Sequence, residues 1–373
     1  MRDTRLSHWL TMASGAVLTA VLTLTLPGCS SKTTGDNLTI GFLYVGPKDD
    51  YGYSQAHAEG AAAVKKMEGV KVLEVEKVDE TDASQQTMKN MIDNKGATAI
   101  FATSYNYFDP HVLEVAKLYP KVTFFHCGGT FDKQKHPENV HTYFGYIDEC
   151  QYLSGIIAGY ATKSNKLGFI AAIPIPQVRR NINAFLLGAR SVNPKAEVHV
   201  IFTGGWLKPK EEADATKVLL GKGCDVFTCH VDSPKTVFEI AAEGGAYICG
   251  YHASQADLIK DKYLTGAEWN WEKVYVDYVN QLKKGEKIAN SMRGGLKEGV
   301  VKTSPYGPAV KPEWKKTADE VKAKLKDGSF LIFKGPIKDD QGAIVIAEGV
   351  KYVDTDPKLE EMNYFVEGVS AAK

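Results

Sequence analysis

Short apolar runs alternate with helix-forming stretches along nearly the whole of this chain, and that alternation restricts the folds open to it. Leu38 to Val45 is an apolar run, followed by a polar, Gly-containing loop and an Ala-rich helix from near Ser54. Val70 to Val75 and Ala99 to Ala102 are the next strands, with a helix over Ala83 to Asp93 between them. Asp109 and Pro110 read as the N-cap and first-turn proline of another helix. Val122 to Phe125 and Val140 to Phe144 complete a first sheet, and a long helix over Cys150 to Thr162 follows.

The pattern restarts at Lys166 to Ile170. Further strands fall at Val198 to Phe202, Val226 to Cys229 and Tyr247 to Gly250, with helices starting near Gln177, Pro209 and Ser233–Pro234. Alternating β and α units force parallel sheets with helices on both faces. The expected fold class is therefore α/β, with two doubly wound parallel-sheet lobes of ordinary domain size. Beyond them, Glu272 to Leu282 reads as a helix with Trp271, Tyr275 and Tyr278 mostly in the core. Glu313 to Leu325 is a charged amphipathic helix, and Phe330 to Phe333 with Ala343 to Ala347 looks like a hairpin around Asp339 to Gly342. There is no internal repeat of solenoid length.

The amino-terminal segment has a different character. Arg2 and Arg5 precede an apolar stretch from Leu10 to Leu26, then Pro27, Gly28 and Cys29. A positive head, an apolar middle and a small residue before a cleavage point read as a secretory signal over residues 1–28. A permanent membrane span needs about 20 predominantly apolar residues; this run is shorter and holds four threonines. Leu26 to Cys29 resembles the bacterial lipobox, with Pro27 an unusual choice, which marks Cys29 for lipidation and residues 29–37 as a tether. Acyl chains hold by about 0.8 kcal/mol per buried methylene. The expected location is the cell envelope, lipid-anchored to the membrane and facing the periplasm or exterior.

Acidic and basic residues balance at 45 each, and no Lys/Arg run stands out, which argues against nucleic acid as a partner. Five cysteines follow Cys29, none in a C-x-x-C pair. Buried free thiols are favoured over a disulfide, although Cys229 and Cys249 could lie on neighbouring strands.

Open parallel sheets bind ligands beyond the carboxyl ends of their strands. The loops there are rich in aromatic and neutral polar groups, among them Tyr53, Ser54, Tyr107, Trp206 and His252, and the next strand end adds Trp269 and Asn270. Opposed rings suit a planar ligand, at about 1–3 kcal/mol per stacked base, while amide, hydroxyl and imidazole groups can read its edge. Any one of these aromatics could instead cap its strand. No nucleotide-loop, zincin or nucleophile-elbow signature is present. His126–Cys127 could suggest a nucleophile, and His126, Cys127, His230 and His252 could suggest a metal site, but no ligand spacing supports either. Neither catalysis, a cofactor nor a metal is expected.

Taken together, the lipobox, Asp50–Tyr51–Gly52–Tyr53–Ser54, Tyr152–Leu153–Ser154–Gly155, Lys166–Leu167–Gly168–Phe169, Asn193–Pro194 and Gly294 to Gly299 resemble the basic membrane protein family. That family comprises substrate-binding lipoproteins of ABC transporters, including purine nucleoside receptors, and the likeness runs from about Leu38 past Pro308. It implies a type I periplasmic-binding-protein fold with a three-segment hinge, a monomer without catalytic activity, and ABC permease subunits as partners. The lobes would divide as 38–163 plus about 266–292, and 164–265 plus about 293–373.

Tyr53 and Ser54 occupy the places of the family's stacking aromatic and base-binding Asn, and Trp206 that of a second stacking ring. Ser254 or a neighbour stands for the Asp, and Trp269 then Asn270 for the Lys, that hold the sugar in nucleoside receptors. Losing both charges removes charge-assisted bonds to ribose. The resemblance thus favours a purine nucleobase such as adenine, with an intact nucleoside second; another planar ligand or a metal chelate is the alternative.

Overall fold

The computed structural model describes residues 38–372. The signal segment, Cys29 and the tether lie outside the described residues. Among those described, no helix is long and apolar enough to cross a membrane.

In chain order the first lobe runs β1 (Leu38–Leu43), α1 (Tyr53–Lys65), β2 (Val70–Val75), α2 (Asp82–Asp93), β3 (Ala99–Ala102), α3 (Leu113–Leu118), β4 (Thr123–Cys127) and β5 (Val140–Gly145). The second set runs α4 (Asp148–Ala161), β6 (Lys166–Ala171), α5 (Pro176–Arg190), β7 (Glu197–Phe202), α6 (Pro209–Gly221), β8 (Val226–His230), α7 (Lys235–Glu243), β9 (Tyr247–His252) and β10 (Tyr263–Trp269). Then follow α8 (Trp271–Lys284), β11 (Ser291–Gly294), β12 (Val301–Thr303), α9 (Pro312–Asp327), β13 (Ile337–Lys338), β14 (Ile344–Ile346), α10 (Pro357–Glu360) and β15 (Val369–Ala372).

The first sheet has the order β11-β5-β4-β3-β1-β2 and the second β12-β10-β9-β8-β6-β7-β15. Only β12 runs antiparallel to its neighbour in these two sheets. Central strands are buried along their length, as Ala99–Ala102 shows, whereas no residue of the edge strand β2 is fully buried. That is the expected signature of a parallel sheet covered on both faces.

The chain passes between the sheets three times: from β5 to α4, from β10 to α8, and from β11 to β12. Helix α8 returns to pack on α1, while α4 packs on α5 and β10. The lobe boundary expected at 163 therefore moves back to the end of β5, β10 lies wholly in the second sheet, and β11 wholly in the first. Every residue of α4 except Tyr160 is buried, the polar Asp148, Glu149, Gln151 and Ser154 included, so its sequence shows no solvent-facing side to tell which sheet it joins.

Two further expectations are corrected. Asp109 is non-helical, and the regular helix starts only at Leu113. Phe330 to Phe333 is not a strand; the hairpin pairs Ile337–Lys338 with Ile344–Ile346, because its turn is capped by Asp339, whose carboxylate accepts from the Gln341 and Ala343 N–H groups at 3.0 and 2.8 Å.

Gly155 explains one of the sequence motifs. A Cβ there would collide with the Phe185 carbonyl oxygen, and one on Gly188 with the Tyr152 carbonyl oxygen. Helices α4 and α5 thus touch backbone to backbone, where neither can yield as a flexible side chain would. Gly155→Ala is expected to cost about 1–3 kcal/mol, the usual range for overpacking. Urea unfolding checks this, and a midpoint equal to wild type would show that the helices can separate freely.

Candidate ligand-binding cleft

Both sheets place their strand carboxyl ends at one gap, and the loops there close on each other. Asp50 builds the first loop. Its carboxylate accepts from the backbone N–H groups of Gly52, Ser54 and Gln55 at 2.8, 2.8 and 2.9 Å, capping α1. Tyr51 takes a left-handed φ of 61°, and Gly52 lies so close to the Asp232 carbonyl oxygen that a Cβ would collide with it.

Three hydrogen bonds clasp this loop to the second lobe. The Tyr53 N–H donates to the Asp232 carbonyl at 2.9 Å, Ser233 Oγ to the Asp50 carbonyl at 2.9 Å, and Gln255 Nε2 to the Tyr51 carbonyl at 2.6 Å. The two lobes are closed.

Behind the clasp lies a cavity of about 320 Å³. Tyr53, Trp206, His252 and Trp269 all line it. Tyr53 is held by its hydroxyl, which donates to the Thr103 carbonyl at 2.6 Å, and its ring meets His252 edge-on with centroids 5.2 Å apart. Trp206, from the other lobe, lies 5.8 Å from His230 and is fixed where its carbonyl accepts from the Asp232 N–H at 2.8 Å.

Trp269 is the outer member of a buried stack. Its indole lies 4.8 Å from that of Trp271 at 14°, and Trp271 lies 5.3 Å from the His57 ring at 3°. His57 Nδ1 is 2.5 Å from the Tyr275 hydroxyl. The stack ties the cavity wall to the core of the first lobe.

Three predicted site residues lie elsewhere. Ser54 Oγ is spent accepting from the Gly46 N–H at 3.1 Å. Tyr107 is fully buried in the first lobe, with its hydroxyl donating to the Val78 carbonyl at 2.5 Å. Asn270 Nδ2 donates to the Gly299 carbonyl at 2.8 Å, tying two of the crossing segments. None of the three lines the cavity.

Two neutral imidazoles, His230 and His252, stand on a polar wall that also includes Asn181, Arg180 and Asp232. Trp269 Nε1–H donates to His252 Nδ1 at 2.8 Å, which puts the ring proton on Nε2. That buried Nε2–H makes no well-formed hydrogen bond, and the ring's pKa is driven down by burial, then by His230 and His57, against a smaller upward pull from the Val231 backbone. Asn181 Nδ2 donates to His230 Nδ1 at 3.0 Å, and burial lowers His230 to about 3.

Asp232 was missed in the sequence, although it lies in a strand-end loop. Both its backbone groups are held, one by each lobe, and its side chain borders the cavity. Burial, then the charges of Asp50, Glu80 and Glu212, raise its pKa well above the usual range, and no side chain among the described residues bonds its carboxyl. Arg180, also missed, is buried at the wall and pairs with Asp148 at 2.8 Å and Asp354 at 3.2 Å.

His126 and Cys127 do not form a reactive pair. His126 Nε2 donates to the Ser104 carbonyl at 2.8 Å while Nδ1 accepts from the Gly129 N–H at 3.1 Å, so both nitrogens are engaged. Burial pushes the Cys127 thiol up to about 12, far from the thiolate a nucleophile needs. All five described cysteines are free and buried, and among the described residues no group of three His, Cys, Asp or Glu side chains could hold a metal ion.

What this arrangement offers a small molecule is grip and orientation: flat walls, fixed donors and a closing second half. The class it defines is a two-lobed solute-binding receptor. Residues 37–341 match the family of PnrA-like ABC transporter substrate-binding proteins. A purine-binding protein of Brucella abortus is 34% identical over 336 residues, covering 90% of this chain and 93% of that protein. A Haloferax volcanii protein provisionally named an ABC transporter glucose-binding protein is 31% identical over 339 residues, covering 90% and 81%. The crystal structure of a solute-binding protein from Aeropyrum pernix superposes with a TM-score of 0.68 at 18% identity, covering 87% of this chain and 98% of that one. The chain belongs to the PnrA-like family, and its fold is of the type I periplasmic-binding kind.

The buried histidines carry a pH signature. His126, lowered to about 3 by burial, stays neutral in the fold, whereas in the unfolded chain it protonates near 6.5. Its contribution is intact above 6.5 and is lost as pH falls from there toward 3. The stability difference between wild type and His126→Gln should therefore narrow on acidification, by up to about 1.4 kcal/mol per pH unit. Urea titrations at pH 7, 6 and 5 read this, and a constant difference would mean that His126 titrates normally in the fold.

Proposed function

We propose that this protein captures a purine between its lobes and delivers it to an ABC permease, with a nucleobase such as adenine preferred to an intact nucleoside. The observation that carries the reading is the aromatic cavity closed between Tyr53, Trp206 and Trp269, with neutral His252 and the unbonded Asp232 carboxyl on its wall. Rings grip a flat base. The His252 Nε2–H donates to a ring nitrogen or carbonyl, and Asp232 pairs with an amino or ring N–H edge.

The cavity is at the small end of the roughly 300–1,000 Å³ usual for small-molecule sites. Trp269 is an apolar, already stacked wall where nucleoside receptors hold the sugar by charge. The relative named as purine-binding supports the same ligand class. The name of the Haloferax relative supports a second reading, a hexose packed on the same rings. In the proposed role the chain is a monomeric, lipid-anchored receptor outside the cytoplasmic membrane that returns its ligand chemically unchanged.

A thermal-shift panel of purines, nucleosides and hexoses decides between these readings. At a thousandfold excess over Kd, adenine should add about 4.1 kcal/mol of stability; a panel in which purines have no effect would discard the proposal. Trp206→Ala should weaken adenine binding by about 1–3 kcal/mol while leaving the unfolding midpoint of the free protein near wild type. Unchanged affinity would show that Trp206 only caps its strand.

A further inference from the structure

The family match ends at residue 341, yet the chain continues and comes back to the cleft. This carboxy-terminal strap is lashed to the second lobe at two points beyond its helix α10. β15 adds to the sheet edge in parallel with β7. Asn183, on α5, donates from Nδ2 to the Tyr364 carbonyl at 3.1 Å and accepts from the Val366 N–H at 2.9 Å. Just before these anchors in the chain, α10 sets Leu359 and Glu360 on the wall of the ligand cavity.

Leu359 is buried, with 1% of its surface exposed, although it borders the cavity, so its side chain is wall and not rim. A few residues earlier, the Asp354 carboxylate pairs with Arg180, whose guanidinium reaches Asp148 at the first crossing between lobes and lies 5.0 Å over the Tyr146 ring. A strap that merely covered a sheet edge would need neither the buried arginine nor the leucine facing the chamber.

We propose that the strap is a size-selecting wall of the binding site: Leu359 limits how far a bound molecule extends past Tyr146, and the Asp354–Arg180 pair holds that wall in place. The proposal rests on the purine reading only for the choice of probes. Deleting the strap would also remove β15, so single substitutions test it better. One large-to-small change adds room and one small-to-large change removes it.

Calorimetric titration of wild type, Leu359→Ala and Leu359→Trp with adenine, adenosine and glucose reads the effect. Near-UV circular dichroism confirms that each variant is folded. Leu359→Ala should improve adenosine relative to adenine by about tenfold, and Leu359→Trp should weaken adenine by about tenfold or more, the scale on which pockets discriminate by a few carbons. Asp354→Asn should shift the ratio in the same direction as Leu359→Ala. Affinities and ratios within about twofold of wild type in all folded variants would overturn the proposal. Binding of glucose but of neither purine would discard the purine reading alone, and the wall would then be judged by the glucose affinities of the same proteins.

Discussion

Parallel strands joined by right-handed crossovers all end on the same edge of their sheet, and the architecture follows from that constraint. Each lobe has the core order second-first-third-fourth-fifth, β2-β1-β3-β4-β5 in one and β7-β6-β8-β9-β10 in the other. The loops after β1, β3 and β4 therefore face those after β6, β8 and β9. Because the chain crosses three times between the sheets, the two sets of loops stay opposed across one gap lined from both sides. The clasp of Gly52 and Tyr53 against Asp232 is where the two edges meet.

Within that gap, the polar groups are fixed in orientation and carry little unpaired charge. His252 is locked by the Trp269 N–H, His230 by Asn181, and Asp232 by a backbone bond to each lobe. Burial keeps both imidazoles neutral, so each presents one defined donor or acceptor instead of a diffuse positive field. The full charges nearby are mostly occupied: Arg180 by Asp148 and Asp354, and Arg293 by the Gly129 carbonyl at 2.7 Å. The Asp232 carboxyl, which burial drives toward its neutral form, has no such partner among the described residues, and its backbone is bonded from both lobes.

Most of the sheet framework was legible because the central strands are unbroken apolar runs, such as Ala99–Ala102 and Val226–His230, bounded by Gly and polar loops. Of the four expected residues that line the cavity, His252 and Trp269 end their strands, Trp206 follows β7 by four residues, and Tyr53 opens the helix after the β1 loop. Ser54 sits next to Tyr53, but one helical step turns its side chain about 100° away, back onto Gly46. Tyr107 is carried inward by a short 3-10 turn, and Asn270 is drawn into linking two crossing segments. The strap escaped notice because β15 and α10 span only four residues each, too short to show a period. The side chosen by α4 was hidden because almost the whole helix is buried, its Asp148, Glu149, Gln151 and Ser154 included.

The paired indoles of Trp269 and Trp271, 4.8 Å apart and nearly parallel, have an optical consequence. Transition dipoles at that separation interact through space, so the near-ultraviolet circular dichroism of each indole depends on its orientation to the other. One member of the pair borders the binding chamber and the other sits in the hydrophobic interior. The chain thus contains a built-in spectroscopic ruler, in which a tilt of a few degrees at the outer ring appears as a change in ellipticity without any attached dye.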